Sequence, residues 1–139
     1  MRSLSPSTQR TVVLLGSTLV AAGAVFPWLS SNGWLVALPG LESGLGTWGL
    51  VLLPAALFLG VLHGFSSRFV TDTATLAVGV LSLVAVVVYW QNTIGNGYVP
   101  AVGWYLTLTG ALVLVAGGVE RVWSRFGRQR LDTDDVRSV

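Results

Sequence analysis

Residues 73–90 read TATLAVGVLSLVAVVVYW, eighteen residues without an ionised side chain. A bilayer core about 30 Å thick requires roughly 20 apolar residues in a helix, so this stretch indicates a membrane span. The charge-free region continues to residue 119, and residues 11–67 contain one charged residue, Glu42. Only 10% of the 139 residues are charged, against about 25% in soluble domains. The chain therefore lacks the polar groups that would cover a water-facing surface.

The hydrophobic pattern predicts four spans, at residues 11–29, 47–65, 73–90 and 100–119. The alternative is a soluble protein with four buried helices, but such helices would carry charged outer faces at helical spacing, and these do not. The predicted fold is an all-α membrane protein with a four-transmembrane-helix bundle over residues 11–127. Residues 1–10 form a cytoplasmic lead in which Ser5-Pro6 predicts the first helix start, and residues 128–139 form a cytoplasmic tail.

The first span has a second interpretation, a cleaved signal peptide. Arginines precede it, and Ala22-Gly23-Ala24 loosely resembles a cleavage site. Signal peptides have an apolar region of about 7–15 residues. This run is longer and continues into Phe26-Pro27-Trp28, which favours a retained helix.

The basic residues predict how the chain is threaded. All eight are arginine, and none lies in the connections at residues 30–46 and 91–99. Short cytoplasmic loops collect arginine and lysine, so both termini and the middle connection are expected in the cytoplasm. The arginines that set this topology are Arg10, Arg68, Arg121 and Arg125, and those after the fourth span are expected to face anionic headgroups.

Under this topology five of the six tryptophans lie at the outer face of the membrane. Indole rings favour the headgroup level because they are apolar with one polar N–H. The predicted interfacial anchors are Trp28, Trp34, Trp48, Trp90 and Trp104 outside, and Trp123 inside. The segment FPWLSSNGW (26–34) combines such anchors with a helix-ending Pro27 and an Asn32-Gly33 turn. The rim of a ligand pocket is the alternative interpretation of this segment.

Small residues predict where the helices pack, because lipid is as apolar as leucine and helices in membranes associate by close contact at small side chains. The predicted packing residues are Gly60 and Gly64 in the second span and Gly103 and Thr107 in the fourth. Packing within one chain is favoured, and a dimer seam stays open. Pro54 is expected to kink the second helix.

The two halves of the chain also match each other. Aligning Trp48 with Trp104 places Leu50 on Leu106, Leu52 on Leu108 and Ala55 on Ala111 without a gap. This match predicts two tandem helical hairpins related by an axis along the membrane normal, although leucine-rich helices also produce such matches by chance.

Little in the sequence indicates chemistry. There is no cysteine, and His63 is the only histidine, so no catalytic residue, metal ligand or cofactor site is predicted. No acidic residue lies within the four predicted spans, which argues against a proton-coupled carrier. The arginines lack the density of a nucleic-acid surface. The expected partners are therefore the lipid bilayer and either a second copy or another membrane protein, with no identifiable small-molecule substrate.

The chain contains arginine but no lysine, is rich in valine, alanine, glycine and leucine, and ends in the acidic segment DTDDVRSV (132–139). In these features and in span count the chain resembles the small uncharacterised four-span membrane proteins of halophilic archaea or their viruses. That resemblance implies no catalytic residue. Small multidrug transporters also have four spans, but they depend on a carboxylate in the first span, and residues 11–29 contain none.

Two classes of function follow from the sequence. The favoured class is a non-enzymatic multi-pass protein of the cell membrane, acting as a structural, scaffold or accessory subunit or as a structural protein of a viral membrane. The alternative is a small channel or carrier that acts as an oligomer, with Pro54 and serine or threonine side chains lining its route.

Overall fold

The computed structural model describes residues 5–30, 48–65, 68–93 and 99–137, which form four helices and one pair of short strands. The helices are α1 (Pro6–Val25), α2 (Gly49–Phe65), α3 (Arg68–Thr93) and α4 (Val102–Arg137). The strands β1 (Leu29–Ser30) and β2 (Val99–Pro100) pair antiparallel, with Leu29 opposite Pro100 and Ser30 opposite Val99. The prediction of a helical chain is thus confirmed for these ranges.

Three of the helices are long and apolar enough to cross a bilayer. The apolar segments are Ser7–Val25, Val70–Thr93 and Val102–Ser124. The apolar part of α2, Gly49–His63, is shorter than these three. By length and composition, the described residues therefore contain three candidate spans, where the sequence predicted four.

The start of α1 follows from its first two residues, as predicted. Ser5 is the N-cap residue, and its Oγ accepts a hydrogen bond from the Thr8 N–H at 3.3 Å. Pro6 occupies the first helical position, where its missing N–H leaves no intrahelical bond unmade. At the other end the Phe26 N–H donates to the Ala22 carbonyl at 3.1 Å, and Pro27 follows in the extended connection to β1.

Two helices extend beyond the predicted spans. The third helix begins at Arg68, so that Asp72 lies within it. The fourth helix continues beyond residue 119, where the predicted span ends, and through Gly127 to Arg137. A glycine inside a helix costs only about 1 kcal/mol relative to alanine, and no proline follows Gly127 to prevent the helix from continuing. Absence of charge marked the apolar extent of these helices and not their ends.

The helices pack so that α1 and α3 each contact both α2 and α4. Val13 and Val20 from α1 meet Leu52 and Leu59 from α2 and Leu114 from α4 in a core from which solvent is excluded. Large apolar side chains also cover the outer surface of the helices. This arrangement of apolar residues inside and outside fits a bundle surrounded by hydrocarbon.

The contact between α1 and α4 is made at glycines. A Cβ added to Gly23 would overlap the Thr107 hydroxyl and lie 2.6 Å from the Thr107 backbone nitrogen. A Cβ added to Gly110 would lie 2.8 Å from the carbonyl oxygen of Gly16. Gly103 similarly faces the Gly23 carbonyl, at 2.8 Å from the position of its missing Cβ. The two backbones therefore approach more closely than any residue with a side chain would allow.

The predicted packing residues divide between the two helices that carry them. Gly103 and Thr107 lie in this α1–α4 contact, and Thr107 is fully buried. A Cβ on Gly60 would meet nothing within 4 Å, so the prediction that Gly60 packs against another helix of the chain was wrong. The surroundings of Gly64 lie outside the described side chains. A small-residue spacing identifies residues on one helix face, but it does not indicate which way that face points.

Duplication of two hairpins stays a prediction. It would make the α1–α4 contact equivalent to the α2–α3 contact. These two differ, since α1 and α4 meet along their length at glycines whereas α2 and α3 share a smaller surface.

Candidate functional site

One guanidinium group joins all four helices at the end where α1 and α3 begin and α2 ends. Arg121 on α4 donates from Nη1 to Asp72 Oδ1 on α3 at 3.1 Å. The same nitrogen lies 3.2 Å from His63 Nε2 on α2. Its Nη2 donates to the main-chain carbonyl of Gln9 on α1 at 2.7 Å. These four groups, the side chains of Arg121, Asp72 and His63 and the Gln9 carbonyl, are referred to below as the Arg121 cluster.

The Arg121 cluster is largely removed from solvent. The side chains of Arg121 and Asp72 are 10% and 12% exposed. Burying either ion alone would cost roughly several kcal/mol. The buried pair is tolerated because each charge neutralises the other. Arg121 was expected to face anionic headgroups. Its side chain instead points into the bundle and is paired there, while its role in setting topology stays a prediction.

The donor and acceptor roles in the Arg121 cluster define the state of His63. A guanidinium has only donors, so the hydrogen bond between Arg121 and His63 requires Nε2 to act as the acceptor. The imidazole is then neutral and carries its proton on Nδ1, a buried atom that has no hydrogen-bond partner among the described residues. The structure thus describes His63 in its uncharged form.

Buried polar side chains of α3 continue from the Arg121 cluster along the helix. Thr75 and Ser82 follow Asp72 on the same face, and both are fully buried. The Thr75 hydroxyl donates to the Thr71 carbonyl at 2.6 Å, and the Ser82 hydroxyl donates to the Val78 carbonyl at 2.8 Å. These hydroxyls satisfy their donors within their own helix, which is how such side chains are accommodated in an apolar bundle.

Aromatic side chains close the opposite end of the bundle. Trp28 is fully buried, and its Nε1 donates to the Gly23 carbonyl at 2.9 Å. This carbonyl belongs to the last turn of α1, where the helix leaves backbone acceptors unpaired. The Trp28 ring packs edge-on against Tyr89 with 5.0 Å between centroids. The segment that begins at Phe26 therefore folds over the end of α1 and fills the bundle.

A second aromatic pair joins α3 and α4, with Trp104 buried and Trp90 exposed. The rings of Trp90 and Trp104 have centroids 5.2 Å apart, and Trp104 Nε1 donates to the Val86 carbonyl at 3.3 Å. Beside them is an open groove of about 280 Å³, lined by Val86, Val87, Trp90, Gln91, Trp104 and Leu108. Its lining is apolar except for Gln91, so it offers no set of polar groups that would orient a ligand.

The predicted tryptophan anchors have different surroundings. Trp90 and Trp123 are exposed, at 45% and 80% of their surface, as an anchor in the headgroup region requires. Trp48 is half-buried. Trp28 and Trp104 depart from the prediction, because their rings are buried and their N–H groups bond to helix carbonyls. Trp34 and the Asn32-Gly33 turn lie outside the described residues.

The remaining predicted positions are placed more simply. Arg10 is exposed on α1. The side chains of Arg68 and Arg125 lie outside the described part of the structure, as do those of the other arginines after Arg121. Pro54 lies within α2 with an exposed side chain, so it does not line the interior of the bundle. Among the described residues no three histidine, cysteine or acidic side chains come together in a way that would hold a metal ion.

Asp72 is the residue that sequence reasoning missed. It stood one position before the predicted third span and was assigned to the connection. A signal was present, because Asp72, Thr75, Ser82 and Tyr89 recur at spacings of three, seven and seven and so share one face of a helix. A polar face on an otherwise apolar helix points toward the protein interior. This pattern would have included Asp72 in the helix and indicated a buried partner for it.

What the described site can do is limited to binding and proton exchange. His63, Asp72 and Arg121 can hold, donate or accept a proton or an ion pair, while the buried serine and threonine hydroxyls are bonded to their own helices. Comparison with known protein families, with curated proteins and with solved structures finds no match to this chain.

Proposed function

We propose that the chain is an integral membrane protein that crosses the cell membrane four times, with both termini in the cytoplasm, and that it serves as a structural or accessory subunit without enzymatic activity. The observation that carries this proposal is the closure of the bundle. Its buried charges pair with each other at one end, and Trp28 fills the other.

The position of α2 supports a fourth crossing. It begins near the end closed by Trp28 and reaches the Arg121 cluster through His63, so it runs the length of the bundle beside α1. Its 17 residues correspond to about 26 Å at 1.5 Å per residue. A span slightly shorter than the hydrocarbon core is accommodated by local thinning of the bilayer at modest cost.

The interior bonding supports a non-conducting role. The hydroxyls of Ser17, Thr75, Ser82 and Thr107 each donate to a carbonyl of their own helix. An ion or polar solute that passed between the helices would have to replace such bonds or be hydrated by water in their place. The absence of lysine and the acidic C-terminal segment further support an origin in a halophilic archaeon or its virus.

The second candidate is a small channel or carrier that acts as an oligomer. It is favoured by Asp72, Arg121 and His63, because ionisable residues within apolar helices commonly mark ion or proton pathways. The sequence-based argument against a proton-coupled carrier assumed that Asp72 lay outside the spans, and its position in α3 removes that assumption.

Two measurements on the full chain distinguish the candidates. Purification after mild detergent extraction from the native membrane is expected to recover a second membrane protein in fixed stoichiometry. Liposomes that contain the purified chain are expected to release protons and small ions no faster than empty liposomes. Faster release that is abolished by Asp72→Asn would contradict the structural role and support the carrier. Labelling of single cysteines tests the threading, since the chain has no cysteine of its own: a label at Arg10 is expected to require permeabilised cells, and one at Gln91 is not.

A further inference from the structure

We propose that His63 is a proton-binding site whose occupancy releases the adjacent end of α2 from Arg121 on α4. This inference rests on the geometry of the Arg121 cluster and applies whether the protein is a subunit or a carrier. Nothing in it requires a ligand other than a proton.

The first step is the hydrogen bond that protonation removes. Arg121 Nη1 lies 3.2 Å from His63 Nε2, and only the unprotonated nitrogen can accept a bond from a guanidinium. Adding a proton to Nε2 replaces this acceptor with a donor. Two cationic groups then face each other at a distance where a hydrogen bond had been.

The second step is the balance of charge around the ring. Arg121 faces His63 from α4, Asp72 faces the same region from α3, and Arg10 on α1 acts on the ring at longer range. Of the described charged groups that act on the ring, Asp72 is the one anion, and protonation of His63 would add a second cation beside Arg121. Asp72 is already bonded to Arg121 at 3.1 Å, so a protonated His63 can gain that carboxylate only by weakening the Asp72–Arg121 pair. Whether His63 separates from Arg121 or draws Asp72 away from Arg121, the hydrogen bonds of the Arg121 cluster change.

The third step is the attachment of α2 to the bundle. This helix packs over a broad surface on α1 and over a smaller one on α3. His63 supplies its hydrogen bond to α4, two residues before α2 ends at Phe65. Among the described residues α2 packs on α1 and α3 and shares little surface with α4, so the loss of this bond removes the main link between the end of α2 and α4, and we expect the distance between these two helices to change there.

The movement can be measured as a distance between two spin labels. Phe65 and Trp123 are 91% and 80% exposed near this end of α2 and α4, so Phe65→Cys and Trp123→Cys place labels without disturbing the core. In liposomes the mean distance is expected to change by about 1–2 Å, the scale of helix shifts in switching proteins, as the pH falls from 8 to 5. The midpoint is expected between these values, where imidazole titrates.

Two further labels provide the spatial control. Leu50 and Tyr105 are exposed at the opposite end of the same two helices, and labels at Leu50→Cys and Tyr105→Cys are expected to report an unchanged distance. A change of the same size at both ends would indicate that the bundle loosens as a whole, and it would overturn the proposal.

Substitutions of His63 provide the chemical control. His63→Gln retains an oxygen that can accept from Arg121 but does not titrate, so its distances are expected to stay at the pH 8 values throughout. His63→Arg carries a permanent charge and is expected to show the pH 5 distances at pH 8. If His63→Arg fails to fold, the comparison of His63→Gln with the unsubstituted chain still shows whether the pH response depends on His63. A pH response that persists in His63→Gln, or the absence of any response in the unsubstituted chain, would refute a proton site at His63.

Discussion

Gly23→Ala is expected to destabilise the bundle by forcing α1 and α4 apart. The new Cβ would lie 2.6 Å from the Thr107 backbone nitrogen and 2.8 Å from the Gly103 carbonyl oxygen, whereas ordinary contact begins at 3.4 Å. The helices must therefore separate by about 0.8 Å, or side chains and backbone must shift by a similar amount, and overpacking of this kind costs about 1–3 kcal/mol. Because two of the three atoms met are backbone, a change of the Thr107 rotamer relieves only the overlap with its hydroxyl.

Gly60→Ala is the matched control for this substitution. It makes the same chemical change inside a helix, but a Cβ at Gly60 meets nothing within 4 Å. Both variants gain about 1 kcal/mol of helix propensity, so this gain cancels when they are compared. The free energy of unfolding of Gly23→Ala is expected to fall below that of Gly60→Ala by about 1–3 kcal/mol, which is the overpacking cost alone.

The assay is reversible unfolding in mixed micelles of increasing SDS fraction, followed by loss of helical circular dichroism. Adding Thr107→Ala to Gly23→Ala removes the overlap with the hydroxyl but not with the backbone, so it is expected to recover only part of the loss. Equal stability of Gly23→Ala and Gly60→Ala would refute the argument, because it would mean that α1 and α4 are not in backbone contact at Gly23.

Two further predictions concern the ends of the bundle. Arg121→Leu or Asp72→Leu alone leaves one buried charge without its partner, and each is expected to lower the unfolding free energy by about 3–5 kcal/mol. The double substitution is expected to be more stable than either single one. Strictly additive losses of unfolding free energy in the same assay would argue against a buried pair. Trp28→Phe retains a ring but removes the hydrogen bond to the Gly23 carbonyl, so it is expected to lower the unfolding free energy by about 1–3 kcal/mol. Trp123→Phe, at an exposed position, is expected to leave the unfolding free energy nearly unchanged. Equal effects of the two substitutions would show that Trp28 does not cap α1.

The sequence predicted those features of the fold that depend on the solvent around the helices. The apolar stretches around residues 73–90 and 100–119 became α3 and α4, and Ser5-Pro6 began α1. These predictions hold because hydropathy and capping act locally, within one helix and its surroundings.

The features that the sequence left undecided depend on which way each helix faces. Gly103 and Gly60 have similar sequence settings, yet one meets the backbone of α1 and the other meets open space. Trp28 and Trp90 both follow an apolar run, yet one ring is buried and the other is exposed. In a membrane both directions are apolar, so hydrophobicity does not distinguish the inside of the bundle from the lipid. Polar groups that pair between helices do distinguish the two directions, as the pairing of Asp72 with Arg121 inside the bundle illustrates.

The same pairing explains why the two ends of the bundle differ in their response to conditions. The end closed by Trp28 is held by ring packing and by a hydrogen bond to a main-chain carbonyl, neither of which contains a group that titrates near neutral pH. The other end is held by the Arg121 cluster, in which the hydrogen bond from Arg121 requires His63 to be neutral. Between them, α1 and α4 are fixed to each other by backbone contact. Among the described residues the link between α2 and α4 is therefore the contact that depends most on a single side-chain bond, and a change in proton concentration should alter it before it alters the α1–α4 pair.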